Sequence, residues 1–272
     1  MHPPPQFVPF PKRPAQKPPP PVSERCIALS VTITLILLLA IGIPLGIILP
    51  HKYVLKLPLT IIVPLYIYPE PGAWDLLVLK SKEQEFLVII NPYNGPGAFP
   101  KPNPPFLENF QKLDVFPNVR KIGYINADRG NRPNTTVLSE IETYSGWSGT
   151  EGLAVHGIFF DQTPVEDSLE NRAYLELVFT AVRNTTGILP PQMIVTNPGT
   201  LPNANLTLPS SHGADLTILY EGPFWDAPKH EKMKGKLKEM PGGRENYGYL
   251  VHSAPAEMSR PRLMMRGRMW GI

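Results

Sequence analysis

The sequence predicts an α/β protein, a (β/α)8 TIM-like barrel with an incomplete last βα unit, preceded by one transmembrane helix. Three observations predict the barrel. Seven short apolar runs recur through residues 60–251, most of them followed by a helical pattern, at intervals of roughly 30 residues. The runs are mainly continuous rather than alternating, as in parallel strands buried on both faces. Each ends near a polar or charged side chain, where such a barrel displays its working residues. A doubly wound open sheet is the alternative, but no glycine-rich dinucleotide fingerprint follows the first run.

The N-terminal parts come first. Residues 1–25 hold 10 of the 35 prolines and read as a disordered cytosolic tail of polyproline character. Its PxxP stretches suit an SH3- or WW-type partner. Residues 27–49 carry no charge, and the segment 26–50 reads as a transmembrane signal anchor. As a helix the uncharged run spans about 34 Å, enough to cross a bilayer. A cleaved signal peptide competes, but its apolar core runs only about 7–15 residues. Lys12, Arg13, Lys17 and Arg25 precede the anchor, while only Lys52 and Lys56 follow it closely. The positive-inside rule then makes this a type II single-pass protein, with the barrel extracellular or in the secretory lumen. Sequons at Asn134, Asn184 and Asn205 all fall on that side. Cys26 is the lone cysteine, so no intramolecular disulfide forms. It is either a palmitoylation site at the membrane boundary or an apolar filler.

Charge excludes one class of partner. Residues 51–228 carry 12 basic and 18 acidic side chains, and the excess of positive charge sits at the two chain ends. The central part therefore has the wrong sign for nucleic acid. Histidines are scattered without metal-ligand spacing, so no metal and no cofactor are expected. No Gly-x-Ser-x-Gly elbow is present.

The barrel is assigned to residues 57–255. Strands are predicted at 60–68, 86–90, 121–125, 155–160, 193–196, 216–220 and 247–251. Helices are predicted at 73–84 (weak), 105–113, 136–147 (capped by Asn134 or Thr135) and 166–183. The last should bury Leu169, Ala173, Leu177 and Val178. At the strand tips stand Tyr66 or Tyr68, Asn91, Tyr124 with Asn126 and Asp128, Asp161, Asn197, Glu221 and His252. Amides and carboxylates bind hydroxyls, and tyrosines stack on sugar rings, so this set suits a polyhydroxylated ligand. Glycoside cleavage needs two carboxyl groups across the scissile bond, and Asp161 and Glu221 are the natural pair. His156 reads as structural.

Several ordered motifs then resemble a family. They are Asn-Pro-x-x-Gly-Pro-Gly (91–97), Gly-Tyr-Ile (123–125), Tyr-x-x-Trp (144–147), Gly-Ile-Phe-Phe-Asp (157–161), Asn-Pro-Gly-Thr (197–200), Ala-Asp…Tyr-Glu (214–221) and Leu-Val-His-Ser (250–253). Together they resemble the spherulation-specific family 4, or spherulin-4-like, proteins of fungi. The resemblance implies a membrane-anchored barrel that acts as an endo-α-1,4-N-acetylgalactosaminidase-type glycoside hydrolase on an amino-sugar exopolysaccharide. It implies that Asp161 and Glu221 are catalytic, and that Gln162, Asn91, Tyr124, Asn197 and His252 contact substrate. The family pattern Phe-Phe-Asp-Glu reads Phe-Phe-Asp-Gln here. An amide cannot exchange a proton near neutral pH, so a catalytically weakened carbohydrate-binding relative is the alternative. Residues 256–272 are basic, depart from the family pattern, and read as an atypical tail or a gene-model artefact.

Overall fold

The computed structural model describes residues 60–82, 84–208, 213–226, 232–233 and 235–253. The proline-rich tail, the anchor segment and the basic tail lie outside these residues. Among the described residues no helix is long and apolar enough to cross a membrane.

Seven strands pair in sequence order: β1 (Thr60–Leu65), β2 (Glu85–Ile90), β3 (Val119–Asn126), β4 (Gly157–Asp161), β5 (Met193–Asn197), β6 (Leu216–Pro223) and β7 (Tyr247–His252). Every pairing is parallel. Helices α1 (Asp75–Lys80), α2 (Pro104–Asp114), α3 (Asn134–Gly146) and α4 (Leu169–Asn184) connect the earlier strands.

Strand alternation sorts the side chains into two apolar layers. Leu87, Ile89, Ile122, Tyr124, Phe159, Val195, Ile218 and Leu250 form one cluster, joined by Ile62 from β1. Side chains from all seven strands meet there, so the sheet has curled on itself. A Cβ at Gly248 of β7 would lie 3.2 Å from Ile62 Cδ1, although no ladder joins β7 to β1 among the described residues. The result is a nearly closed seven-stranded parallel barrel. The eighth unit of the (β/α)8 expectation is absent from the described residues.

The second layer packs the opposite strand faces, including Val88, Ile90, Ile125, Ile158 and Phe160, against the helices. Asn103 caps α2, accepting from the Phe106 N–H at 3.4 Å, with Pro104 in the first turn. Ser168 caps α4 through the Asn171 N–H at 3.0 Å. Two sequence expectations are corrected here. Pro133 takes the cap position of α3 without a side-chain bond, and Asn134 already lies inside the helix. α4 buries Tyr174, Leu175, Val178, Phe179 and Val182, while Leu169 is 86% exposed. The true face includes Tyr174 and Phe179, whereas the expected 169/173/177 row lies beside it.

At the opposite end from the tips, Lys121 is fully buried and donates to Asp114 Oδ1 at 2.7 Å and to the Gly152 carbonyl. His156 bridges two strands: its N–H donates to Lys121 O and its carbonyl accepts from Met193 N–H. Burial, then the Lys121 charge, lowers the imidazole pKa below its ordinary value. A base depressed in the folded state stays neutral while the unfolded chain takes up a proton. Its contribution is therefore present above about pH 6.5 and is lost as pH falls towards the folded value. Thermal unfolding should show this. Wild type should lose more Tm between pH 7 and pH 5 than His156→Gln does; equal losses would refute the assignment.

Candidate active site at the strand tips

Side chains on the inward face of the strands continue upward from the interior core. Tyr66 stands just beyond β1, and Tyr124, Asp161, Asn197 and Glu221 stand at the tips of β3 to β6. Asn197 is the hub. One hydrogen of its Nδ2 goes to Asp161 Oδ1 at 2.9 Å and the other to Glu221 Oε2 at 2.8 Å. Its Oδ1 accepts from the Gly199 N–H at 3.2 Å, which fixes the amide orientation. Gly199 has φ +68, a conformation that glycine adopts without strain. The Asn-Pro-Gly-Thr motif is thus the mount of a two-carboxylate bracket.

Tyr124 completes it, donating from its hydroxyl to Asp161 Oδ2 at 2.8 Å, so both Asp161 oxygens are held. Tyr66 packs edge-on against Tyr124 with ring centroids 5.7 Å apart. Burial and then the Asp161 charge push both phenol pKa values well above the ordinary one. Both therefore remain protonated, and Tyr124 is a donor.

Glu221 reaches this cluster because of a β-bulge. Ile218, which faces the interior, pairs with Gly248, and the register then slips so that Glu221 pairs with Leu250, also interior. Plain alternation from Ile218 would aim Tyr220 inward and Glu221 outward. One extra residue in β6 reverses that.

The tips of β3 and β4 are tied together past the ladder. Ala127 N–H donates to Asp161 O at 2.7 Å and Arg129 N–H to Gln162 O at 2.6 Å. Asp128, Arg129 and Gln162 all have positive φ, and backbone strain of this kind collects at functional sites. Tyr144 of α3 enters from outside and shares its one hydroxyl hydrogen between Tyr124 O at 2.9 Å and Ile90 O at 3.1 Å. Gly123 makes room, since a Cβ there would come within 2.7 Å of the Tyr144 ring.

The other expected site residues stand differently. Gln162 follows Asp161 on the opposite parity, exposed and with φ 51. Asn91 uses its Oδ1 to accept from Gly95 N–H at 2.9 Å, closing the 91–97 loop. His252 is exposed, with Nδ1 2.8 Å from Ser253 Oγ. Neither Asn91 nor His252 belongs to the hydrogen-bonded bracket. Trp225, 69% exposed just past β6, carried no sequence signal beyond its proximity to Glu221. Among the described residues, no three His, Cys, Asp or Glu side chains converge as a metal site.

Fold and site together define a parallel α/β barrel with a hydrogen-bonded carboxylate pair at its C-terminal face. The spherulation-specific family 4 profile matches residues 60–267, and the chain belongs to that family. It is 30% identical to Spherulin-4 of Physarum polycephalum over 186 residues, 65% of this chain. The chain spans about half, 52%, of that relative's length. The solved structure of Aspergillus clavatus Sph3 in complex with GalNAc is similar at a TM-score of 0.67 and 34% identity. That similarity covers 75% of this chain and 81% of the other. The barrel follows from these likenesses.

Proposed function

We propose that this chain is a glycoside hydrolase that cleaves an α-1,4-linked N-acetylgalactosamine-containing exopolysaccharide internally. The observation that carries the reading is the Asn197 bridge between Asp161 and Glu221. Laid end to end, the two bonds from one nitrogen cap the separation of the bonded oxygens. The nearest oxygens of the pair therefore lie close to the roughly 5–5.5 Å spacing of retaining enzymes. This closeness supports retaining chemistry. Asp161, held at both oxygens, attacks the anomeric carbon while Glu221 passes its proton to the departing glycosidic oxygen. The Glu221 carboxylate then takes a proton from the water that displaces Asp161, and the product keeps its configuration. GalNAc in the similar Sph3 structure supports an amino-sugar substrate.

Gln162 supports the second reading, a carbohydrate binder with little turnover. Acid–base groups contribute about 10²–10⁴-fold. If the missing carboxylate is one of them, Gln162→Glu should raise product release from purified galactosaminogalactan by tenfold or more. No change would confine the chemistry to Asp161 and Glu221. A wild type that binds without releasing product would favour the binder.

The reading includes a type II anchor at residues 26–50, the barrel on the lumenal or outer side, and a proline-rich cytosolic tail open to SH3- or WW-type domains. Asn134 and Asn184 are exposed and suit glycans. Asn205 suits one less well: its Nδ2 donates to Asp167 at 2.7 Å, and Thr207 of its sequon is buried. A mass shift on glycosidase treatment of the membrane fraction, lost in Asn134→Gln/Asn184→Gln, tests the orientation.

A further inference from the structure

An aromatic path leads away from the carboxylate bracket. Past Tyr66 the chain continues to Tyr68, 44% exposed, whose ring packs edge-on against Phe106 with centroids 5.3 Å apart. The 66–68 stretch is pinned by Trp74 Nε1 donating to Ile67 O at 3.0 Å. Tyr68 Oη accepts from Asn103 Nδ2 at 3.3 Å. Tyr93, 45% exposed, packs on the same Phe106 at 6.2 Å. Asn103 and Tyr93 then line a groove of about 620 Å³, shared with Phe99, Lys101, Gly146 and Thr150. This volume lies in the range of about 300–1,000 Å³ usual for ligand sites.

These rings are exposed yet held in place. Tyr93 lies against Gly97, at φ +86, where a Cβ would sit 3.2 Å from its Cγ, and its N–H donates to Gly95 O at 3.1 Å. Phe99 is 70% exposed and is followed by Pro100 and Pro102, which stiffen its backbone. Rigid amphipathic rings with amide and hydroxyl groups beside them stack on sugar C–H faces while bonding sugar hydroxyls. Resting on the sugar reading of the tips, we propose that Tyr68, Tyr93 and the Phe99 groove form a distal subsite track. It holds further N-acetylated hexosamine units of the same chain. Lys101, exposed in the lining, adds a weak repulsion to de-N-acetylated, cationic units. Long acetylated chains are thereby selected over short or deacetylated ones.

Calorimetric titration of the full chain with GalNAc, an acetylated α-1,4 octamer and the deacetylated octamer tests this. Two variants are used: Tyr93→Ala/Phe99→Ala, and Gly146→Leu, which fills the groove. A Cβ at Gly146 meets nothing within 4 Å, so the second variant starts into open space and leaves the packing of the rings untouched. Both should weaken the acetylated octamer at least tenfold and leave GalNAc within twofold; wild type should prefer the acetylated octamer. Unchanged octamer affinity in Gly146→Leu, or equal loss for GalNAc and octamer, would overturn the track alone. A wild type that binds none of the three ligands would instead overturn the sugar reading beneath it.

Discussion

Asp161→Asn and Glu221→Gln should each lower turnover of an acetylated α-1,4-galactosamine oligomer by about 10³-fold or more, a barrier increase of about 4 kcal/mol. Oligomer affinity should change less than tenfold, because both substitutions are isosteric and Asn197, Tyr124 and Tyr66 remain. The proposed roles separate the two variants. A nitrophenolate leaving group needs no proton, so a nitrophenyl oligoside should recover much of the bond-breaking step in Glu221→Gln. In Asp161→Asn it should recover nothing, since the nucleophile is gone. Early product examined by proton NMR should be the α-anomer. A β-anomer would mean that water attacks directly, which would overturn the nucleophile role of Asp161.

The order of strands was readable because each is a run of apolar residues with a polar stop, and burial on both faces leaves no alternation to misread. The carboxylate pair was readable for the same reason: Asp161 and Glu221 each end a run. How Glu221 comes to face inward was not. Counting from Ile218 places it outside, and a bulge is a property of the pairing with β7 rather than of β6 alone. Asn197 was legible as a tip residue but not as the bridge, which needs two neighbouring strands in register. The motif pair Gly-Tyr-Ile and Tyr-x-x-Trp has a joint cause that neither shows alone: Gly123 leaves the space that the Tyr144 ring fills. The face of α4 is not fixed by sequence because a four-residue spacing is satisfied by two adjacent rows, and only the sheet chooses between them. The loop-closing bond of Asn91 Oδ1 depends on the backbone of the 91–97 loop and is not legible in the motif alone.

The largest loss of stability should come from Gly157→Ala. Gly157 pairs with Met193 at the start of β4, and a Cβ there would overlap the Met193 carbonyl oxygen and lie 2.7 Å from its carbon. The obstacle is backbone, so no side-chain rotation relieves it, and β4 must move away from β5. Overpacking typically costs about 1–3 kcal/mol when side chains can yield, and this position should exceed that range. Against a total stability of about 5–15 kcal/mol, the Tm should fall by 10 °C or more, measured by circular dichroism. The same displacement acts on function. Asp161 ends this five-residue strand, and its Oδ1 is held from β5 by Asn197. A shift of β4 against β5 stretches that bond, so turnover below the new Tm should also fall, by about tenfold. Gly123→Ala provides the contrast. Its Cβ meets the Tyr144 ring rather than backbone, so it should cost less Tm and should disturb Tyr124 rather than Asp161. Equal losses in the two variants would show that the β4–β5 contact is softer than its geometry implies.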